Sequence, residues 1–396
     1  MKQTIRNSAL ALLLWAACMA QVALAATAVT PEVAAGLAAR KLLEAHDFTG
    51  LERLTSQWLA DYKAGKTDGD AFFDTFNAVL PKEDLLGSRY GADLGTWQRA
   101  YPKSYAANYL FGDFLARKAW EARGSAFAAQ TSARQLDELD QFAKQAEVML
   151  QRSAPLFDRP YPTYCKLTTL ARSGSIADGP YFRSAHKIDP AAFRAYSEAM
   201  RGLAPKWHFS GKGMPRFQAL DEFTGWALSQ SAPSADTKAR IRALALEIKA
   251  DDAEVMNGDH AAAISLYRQS YEAAPGQPRL WRLTQAAEIA RDNRQESEAA
   301  AMYTEALKVD GGDVNARKGR GFLRENRRDI SGAVEDYEVA GKGGDDWALN
   351  RIGWIYMQDW GPKNYDLAVK YLQRAADMGN ENAINNLKLI AKLQGH

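Results

Sequence analysis

Four times in the last third of the chain, an alanine is followed four residues on by tyrosine or leucine and three further on by a small residue. The sets are Ala263–Tyr267–Ser270, Ala299–Tyr303–Ala306, Ala333–Tyr337–Ala340 and Ala368–Leu372–Ala375. The leading alanines stand 36, 34 and 35 residues apart. Offsets of four and three put each set on one helix face. The small residues let a neighbouring helix approach closely, and the ring fills the space beside them. A unit of this length cannot bury its apolar face alone, so successive units must stack.

Between these helices runs a second set, in "PGQPRLWRLTQAAEIARDNRQ", "GGDVNARKGRGFLRENRRD", "GGDDWALNRIGWIYMQD" and "GNENAINNLKLIAKL". Gly and Asn/Asp joints stop one helix and start the next. The unit is a helix pair of about 34 residues, and residues 251–396 resemble tetratricopeptide repeats. The last unit looks like the Sel-one-like subtype, in which a short extra loop, here "QDWGPKNYD", separates the helices. Ala348, Gly353, Tyr356, Gly361, Ala368, Tyr371, Ala375, Ala376, Gly379, Ala383 and Leu387 fall where that pattern wants them, while Trp360 stands where it often has Gly. The alanines, glycines and tyrosines are therefore expected to be packing positions rather than a cofactor box.

The chain opens with "MKQTIRNS", basic and without acid, then the apolar run Ala9–Ala20, then "ALA" at 23–25. That is the form of a secretory signal peptide cut after Ala25. The run is shorter than the ~20 residues a membrane span needs. A lipidated Cys18 is the lesser alternative. Cleavage removes Lys2 and Arg6 and leaves 48 basic against 48 acidic side chains. No basic excess then remains to attract nucleic acid. Cys165 is left as the single cysteine, with no partner for an internal disulfide, and is expected to be a buried small residue.

Residues 31–250 also read as helical, with "QSAPSADTK" (230–238) as the best linker candidate and no sustained strand alternation. Thr67 or Asp68 offers a cap before Phe72, Phe73 and Phe76. Pro102 is expected to open a long helix carrying Ala106, Tyr109, Leu110, Phe114 and Ala119. A helical break is expected at Phe48–Gly50. "WQRAYPKSYAANYLFGDFLARKAWEARG" and "AMRGLAPKWHFSGKGMPRF" resemble a bacterial family known as domain of unknown function 4034. That resemblance implies an accessory or binding-type helical domain and brings no established chemistry.

No His-Glu-x-x-His, phosphate loop or Gly-x-Ser-x-Gly elbow is present, and the five histidines have no metal-ligand spacing. No catalytic residue, cofactor or metal is assigned. "DDAE" (251–254) and "DELD" (137–140) could supply an acid/base pair, but such runs on amphipathic helices read as solvated faces, and "RENRRD" reads as a solvated helix end whose arginines can also grip a partner carboxylate. The most suggestive loop is "KWHFSGKGMPR", with Lys206, Trp207, His208, Lys212 and Arg216. Its amides near Gly211 and Gly213 could cradle an anion beside the aromatics. The plainer reading is a loop whose Trp207 plugs the core.

The expectation is thus an all-α chain: signal peptide 1–25, an irregular helical domain 26–250, and a tetratricopeptide/Sel-like α-α solenoid 251–396. Its expected place is the periplasm or the outside of the cell. Its expected role is non-catalytic binding of a protein or cell-envelope component. The alternative is an envelope-glycan hydrolase with a cleft between the two domains.

Overall fold

The computed structural model describes residues 30–81, 89–124, 131–174, 180–204, 217–276, 279–358 and 362–394. Among these the regular structure is helical throughout, with 19 α-helices and no strand. The chain divides into two compact units at Gly202/Leu203. Position 250/251 falls inside the second unit, near the end of a helix, and 230–234 is the joint before that helix.

The first unit holds α1 (Pro31–Glu44), α2 (Phe48–Lys63), α3 (Gly69–Asn77), α4 (Tyr90–Ala100), α5 (Tyr105–Arg123), α6 (Ala133–Ser153), α7 (Tyr161–Ala171), α8 (Tyr181–Ile188) and α9 (Phe193–Gly202). Asp68 caps α3 through the Ala71 amide at 2.8 Å, and Phe72, Phe73 and Phe76 behind it are buried. The break between α1 and α2 comes at 45–47, not at Phe48–Gly50: the Asp47 carboxylate accepts from the Gly50 amide at 2.8 Å and draws those residues into the first turn of α2. Likewise α5 opens after Ser104, whose hydroxyl accepts from the Ala107 amide at 3.2 Å. Pro102 lies in the turn before it. The five apolar residues expected on α5 are all buried.

The core of this unit is aromatic. Tyr62 stacks on Phe72 at 4.3 Å, and Phe76 meets Tyr105 and Tyr109 edge-on at 6.0 and 5.1 Å. Beside it lies a buried ionic centre. Asp113 is fully buried between Arg117 (3.0 Å) and Lys166 (2.6 Å). Arg117 continues to the carbonyls of Asn77 (2.8 Å) and Pro81 (3.3 Å), closing the end of α3. The start of α9 is capped by Asp70, which accepts from the amides of Phe193 (3.0 Å) and Arg194 (2.7 Å). Cys165 is buried, and burial holds its thiol far above the ordinary range.

The second unit holds α10 (Gln218–Ser229), α11 (Ala235–Asp252), α12 (His260–Ala273), α13 (Trp281–Asp292), α14 (Glu296–Val309), α15 (Val314–Asn326), α16 (Ile330–Lys342), α17 (Asp346–Met357), α18 (Tyr365–Asp377) and α19 (Glu381–Leu393). From α11 onward each helix packs on the next. The pairs are α11/α12, α13/α14, α15/α16 and α17/α18, followed by α19. All twelve residues of the four Ala-x3-Tyr/Leu-x2-small sets are buried, on α12, α14, α16 and α18.

Close approach is visible atom by atom. A Cβ at Gly319 of α15 would lie 2.1 Å from the Tyr303 ring of α14, and one at Gly353 of α17 would lie 2.5 Å from Leu372 of α18. Helix starts are set locally by an Asp or Asn side chain that accepts from the amide three residues on. These are Asp259, Asp313, Asp329, Asp345, Asn364 and Asn380, at 2.7–3.0 Å. Each satisfies an amide that the helix itself leaves without a partner.

Candidate binding face

The helices of the second unit form two rows. One row holds α12, α14, α16 and α18, which carry the buried alanine sets. The other holds α11, α13, α15, α17 and α19, and its members are bridged side chain to side chain. Arg282 of α13 donates twice to Glu247 of α11 (2.9 and 2.6 Å). Arg291 of α13 lies 5.7 Å from the Phe322 ring centroid of α15. Arg351 of α17 makes a two-pronged contact with Glu325 of α15 (2.9 and 2.7 Å). Asn386 of α19 donates to Asn350 of α17, and Asn380 to Asp346, both at 2.9 Å.

Along this row a stripe at i, i+4, i+7 and i+11 recurs from helix to helix, the spacing of one helix face. It reads Trp281–Gln285–Glu288–Asp292 on α13 and Trp347–Arg351–Trp354–Gln358 at the same positions of α17 and its end. On α15 it reads Asn315–Gly319–Phe322–Asn326, and on α19 Asn382–Asn386–Leu389–Leu393. Every member except Gly319 is at least partly exposed. Trp281 is 43% exposed and Trp347 36%, enough to offer a ring to a partner while each leans on a buried tyrosine of the other row, Tyr267 at 6.2 Å and Tyr337 at 5.7 Å.

Of the sixteen stripe positions, six are apolar, six are amides and three are charged. Two of the three charges are answered within the protein. Arg351 holds Glu325 and stacks 4.2 Å from the Trp354 ring centroid; Asp292 accepts from Arg291 at 2.8 Å. Burial pushes the Glu288 carboxyl above its ordinary range, and Arg291 and Lys318 only partly oppose it. Lys318 itself pairs with Asp345 at 2.8 Å.

Of the "RENRRD" arginines, Arg324 is used inside the unit, and Arg327 lies at the surface 3.5 Å from Glu296. Arg324 joins Arg317 and Arg320 on the fully buried Asp336 of α16, at 2.9, 2.7 and 2.7 Å. The carboxylate gripped there is the protein's own. In "DDAE", Asp251 and Glu254 accept from the Tyr267 hydroxyl at 2.7 and 3.1 Å, so this run is a joint between helices and not a solvated face. In "DELD", Glu138 and Asp140 pair with Arg134 and Lys144 on an exposed face, as expected.

The loop residues singled out from the sequence, Lys206, Trp207, His208, Lys212 and Arg216, lie outside the described residues. Among the described residues, no three His, Cys, Asp or Glu side chains gather to hold a metal ion. No described helix is long and apolar enough to cross a membrane. Sequence period marks the buried alanines and tyrosines, whose identities repeat, and not the stripe, whose residue types change from helix to helix. The stripe's signal is present in "RLWRLTQ" and "DDWALN", where a tryptophan stands off the apolar face.

Residues 37–173 match the family model described as Domain of unknown function (DUF4034). Residues 197–221 and 348–380 match the model described as Sel1 repeat. The stretch around 199–217, which also carried the DUF4034 resemblance, lies beyond the first match and within the second. No curated protein matches the chain.

Among solved structures, the human IFIT1 dimer with m7Gppp-AAAA is similar at a TM-score of 0.37 and 9% identity, over 91% of this chain and 82% of that one. The human IFIT1 dimer with PPP-AAAA is similar at 0.34 and 13%, over 80% and 74%. Likeness at that level carries no argument about this chain. In the first unit the chain is thus similar to DUF4034 over residues 37–173, and in the second its match to the Sel1 repeat at 348–380 spans α17 and α18.

Proposed function

We propose that the protein is an exported, non-catalytic binding protein whose second unit holds a polypeptide partner on the α11–α13–α15–α17–α19 row. The observation that carries this reading is the recurring stripe, with Trp281 and Trp347 exposed at equivalent positions two helices apart. Stacked helix pairs offer extended surfaces of this kind, and tryptophans are enriched among residues that dominate binding energy. Export rests on the signal-like first 25 residues. Its check is the amino terminus of the protein recovered from the periplasm or medium: Ala26 is expected, and a retained Met1 or a lipid on Cys18 contradicts it.

The binding reading is tested by capture from cell-envelope extract, comparing the natural protein with a Trp281→Ala/Trp347→Ala double variant. Both positions are exposed, so the melting temperature should hold within a few degrees while recovery of the specific partner falls at least tenfold. Unchanged recovery by a folded double variant overturns the reading.

A further inference from the structure

We infer that the stripe recognises an extended polypeptide segment of low net charge bearing apolar side chains, and that it does so with rings and amides rather than with charge. This rests on the binding function proposed above and specifies the chemistry of the partner.

Three observations lead there. The stripe's arginine and the cations beside it on α13 and α15 are already engaged, Arg351 by Glu325, Arg291 by Asp292 and Lys318 by Asp345, while Lys388 and Lys392 on α19 are exposed. A polyanion gains affinity by exchanging counter-ions for free cations, and the three engaged cations would first have to leave their carboxylates. The third stripe position changes from Glu288 on α13 to Phe322, Trp354 and Leu389 on the next three row members. It therefore offers a run of apolar contacts across successive helices. The amides Asn315, Asn326, Gln358 and Asn382 alternate with these, and an amide can both donate to and accept from an extended backbone, whereas Gln285 and Asn386 already donate to Glu254 and Asn350.

Scale agrees. Neighbouring helices stand about 8–10 Å apart and an extended chain advances about 3.3 Å per residue. Roughly nine residues would then reach from α13 to α19.

The test uses three fluorescein-labelled probes of about ten residues each, against the purified protein at 50 and 500 mM NaCl. One is an uncharged peptide alternating Leu or Phe with Ser or Gln, one is oligoglutamate, and one is an oligodeoxyadenylate. The uncharged peptide should bind at least tenfold more tightly than either anion, with a Kd that changes less than twofold between the salt concentrations. Trp354→Ala should weaken it at least tenfold, and Trp354→Phe should restore most of the loss. Should the alanine variant fail to fold, Leu389→Gln serves instead, at a position 46% exposed, with an expected three- to fivefold loss.

Preference for either anion, a steep fall with salt, or no binding of the uncharged peptide overturns the inference. If the uncharged peptide fails while the Trp281/Trp347 variant still loses its partner, the class of partner is wrong and the face stands. If that variant also keeps its partner, both readings fall.

Discussion

The two units are both helical and both cap many helices locally, yet they differ in what else fixes the helix ends. In the second, an Asp or Asn starts most repeat helices by bonding an amide three residues away, and each helix then packs on its neighbour in sequence. The first caps α2, α3 and α5 locally as well, through Asp47, Asp68 and Ser104, but two of its helix ends are also held from a distance. Asp70 starts α9 across 123 and 124 residues, and Arg117 closes α3 across 40. A buried carboxylate with two cations sits where those elements meet. The difference teaches that a stack built from neighbour contacts can vary its exposed stripe without disturbing the rest. A centre made of remote partners ties most of its residues to folding.

The comparison can be broken most forcefully at Asp113. Removing this buried carboxylate strands Arg117 and Lys166, a loss that typically costs about 3–5 kcal/mol. Asp113→Ala should accordingly unfold the first unit at much lower urea, and hydrogen exchange should rise in α3, α5 and α7 together. Burial raises the Asp113 carboxyl, but Arg117 and Lys166 more than reverse this and leave it below its ordinary range. Its contribution is then present above about pH 4, the ordinary carboxyl value, and is lost as pH falls through the lowered folded value. Asp113→Asn should flatten that part of the acid-unfolding curve. Unaltered acid stability would mean the centre does not support the fold.

Next in size is Ala333→Trp, which forces a large ring into a fully buried contact of α16 and should cost about 1–3 kcal/mol or more. Here faster exchange should be confined to α15–α18 and leave α1–α9 unchanged. Spread into the first unit would erase the contrast. Asp313→Ala removes a cap bond of 2.7 Å to the Ala316 amide and should cost about 1 kcal/mol by urea titration. The smallest effect is expected at Arg294, whose φ is 63° in the turn between α13 and α14. Gly258 and Arg328 occupy the same turn of the neighbouring pairs, with φ 64° and 66°. Arg294→Gly relieves roughly 1 kcal/mol of left-handed strain but loosens the unfolded chain by nearly as much. The melting temperature should rise by no more than a degree or two.

Legibility followed the same divide. The repeat could be read because its physics is local: Ala333, Tyr337 and Ala340 sit within eight residues, and Asp313 and Asp345 stand beside the helices they cap. In the first unit the helices were readable from Phe72, Phe76, Tyr109 and Leu110, but not what closes them. No spacing rule links Asp70 to Phe193 or Arg117 to Pro81. At Phe48–Gly50 the sequence suggests a break, whereas the Asp47 cap pulls these residues into a helix. The loop at 206–216 drew attention because glycine, lysine and aromatics stood together. The stripe escaped it because Trp281, Phe322 and Trp354 lie tens of residues apart and become one surface only when the pairs stack.

The most direct test of the account is a photo-crosslinking scan on the protein in its native cell envelope. A photoreactive amino acid would replace Asn315 or Asn382 on the stripe, or Thr304 or Glu335 on the opposite row, all four positions exposed. Adducts to a polypeptide partner are predicted from Asn315 and Asn382 and not from Thr304 or Glu335. Adducts confined to Thr304 and Glu335, or equal from all four, would contradict the assignment of the stripe as the working surface.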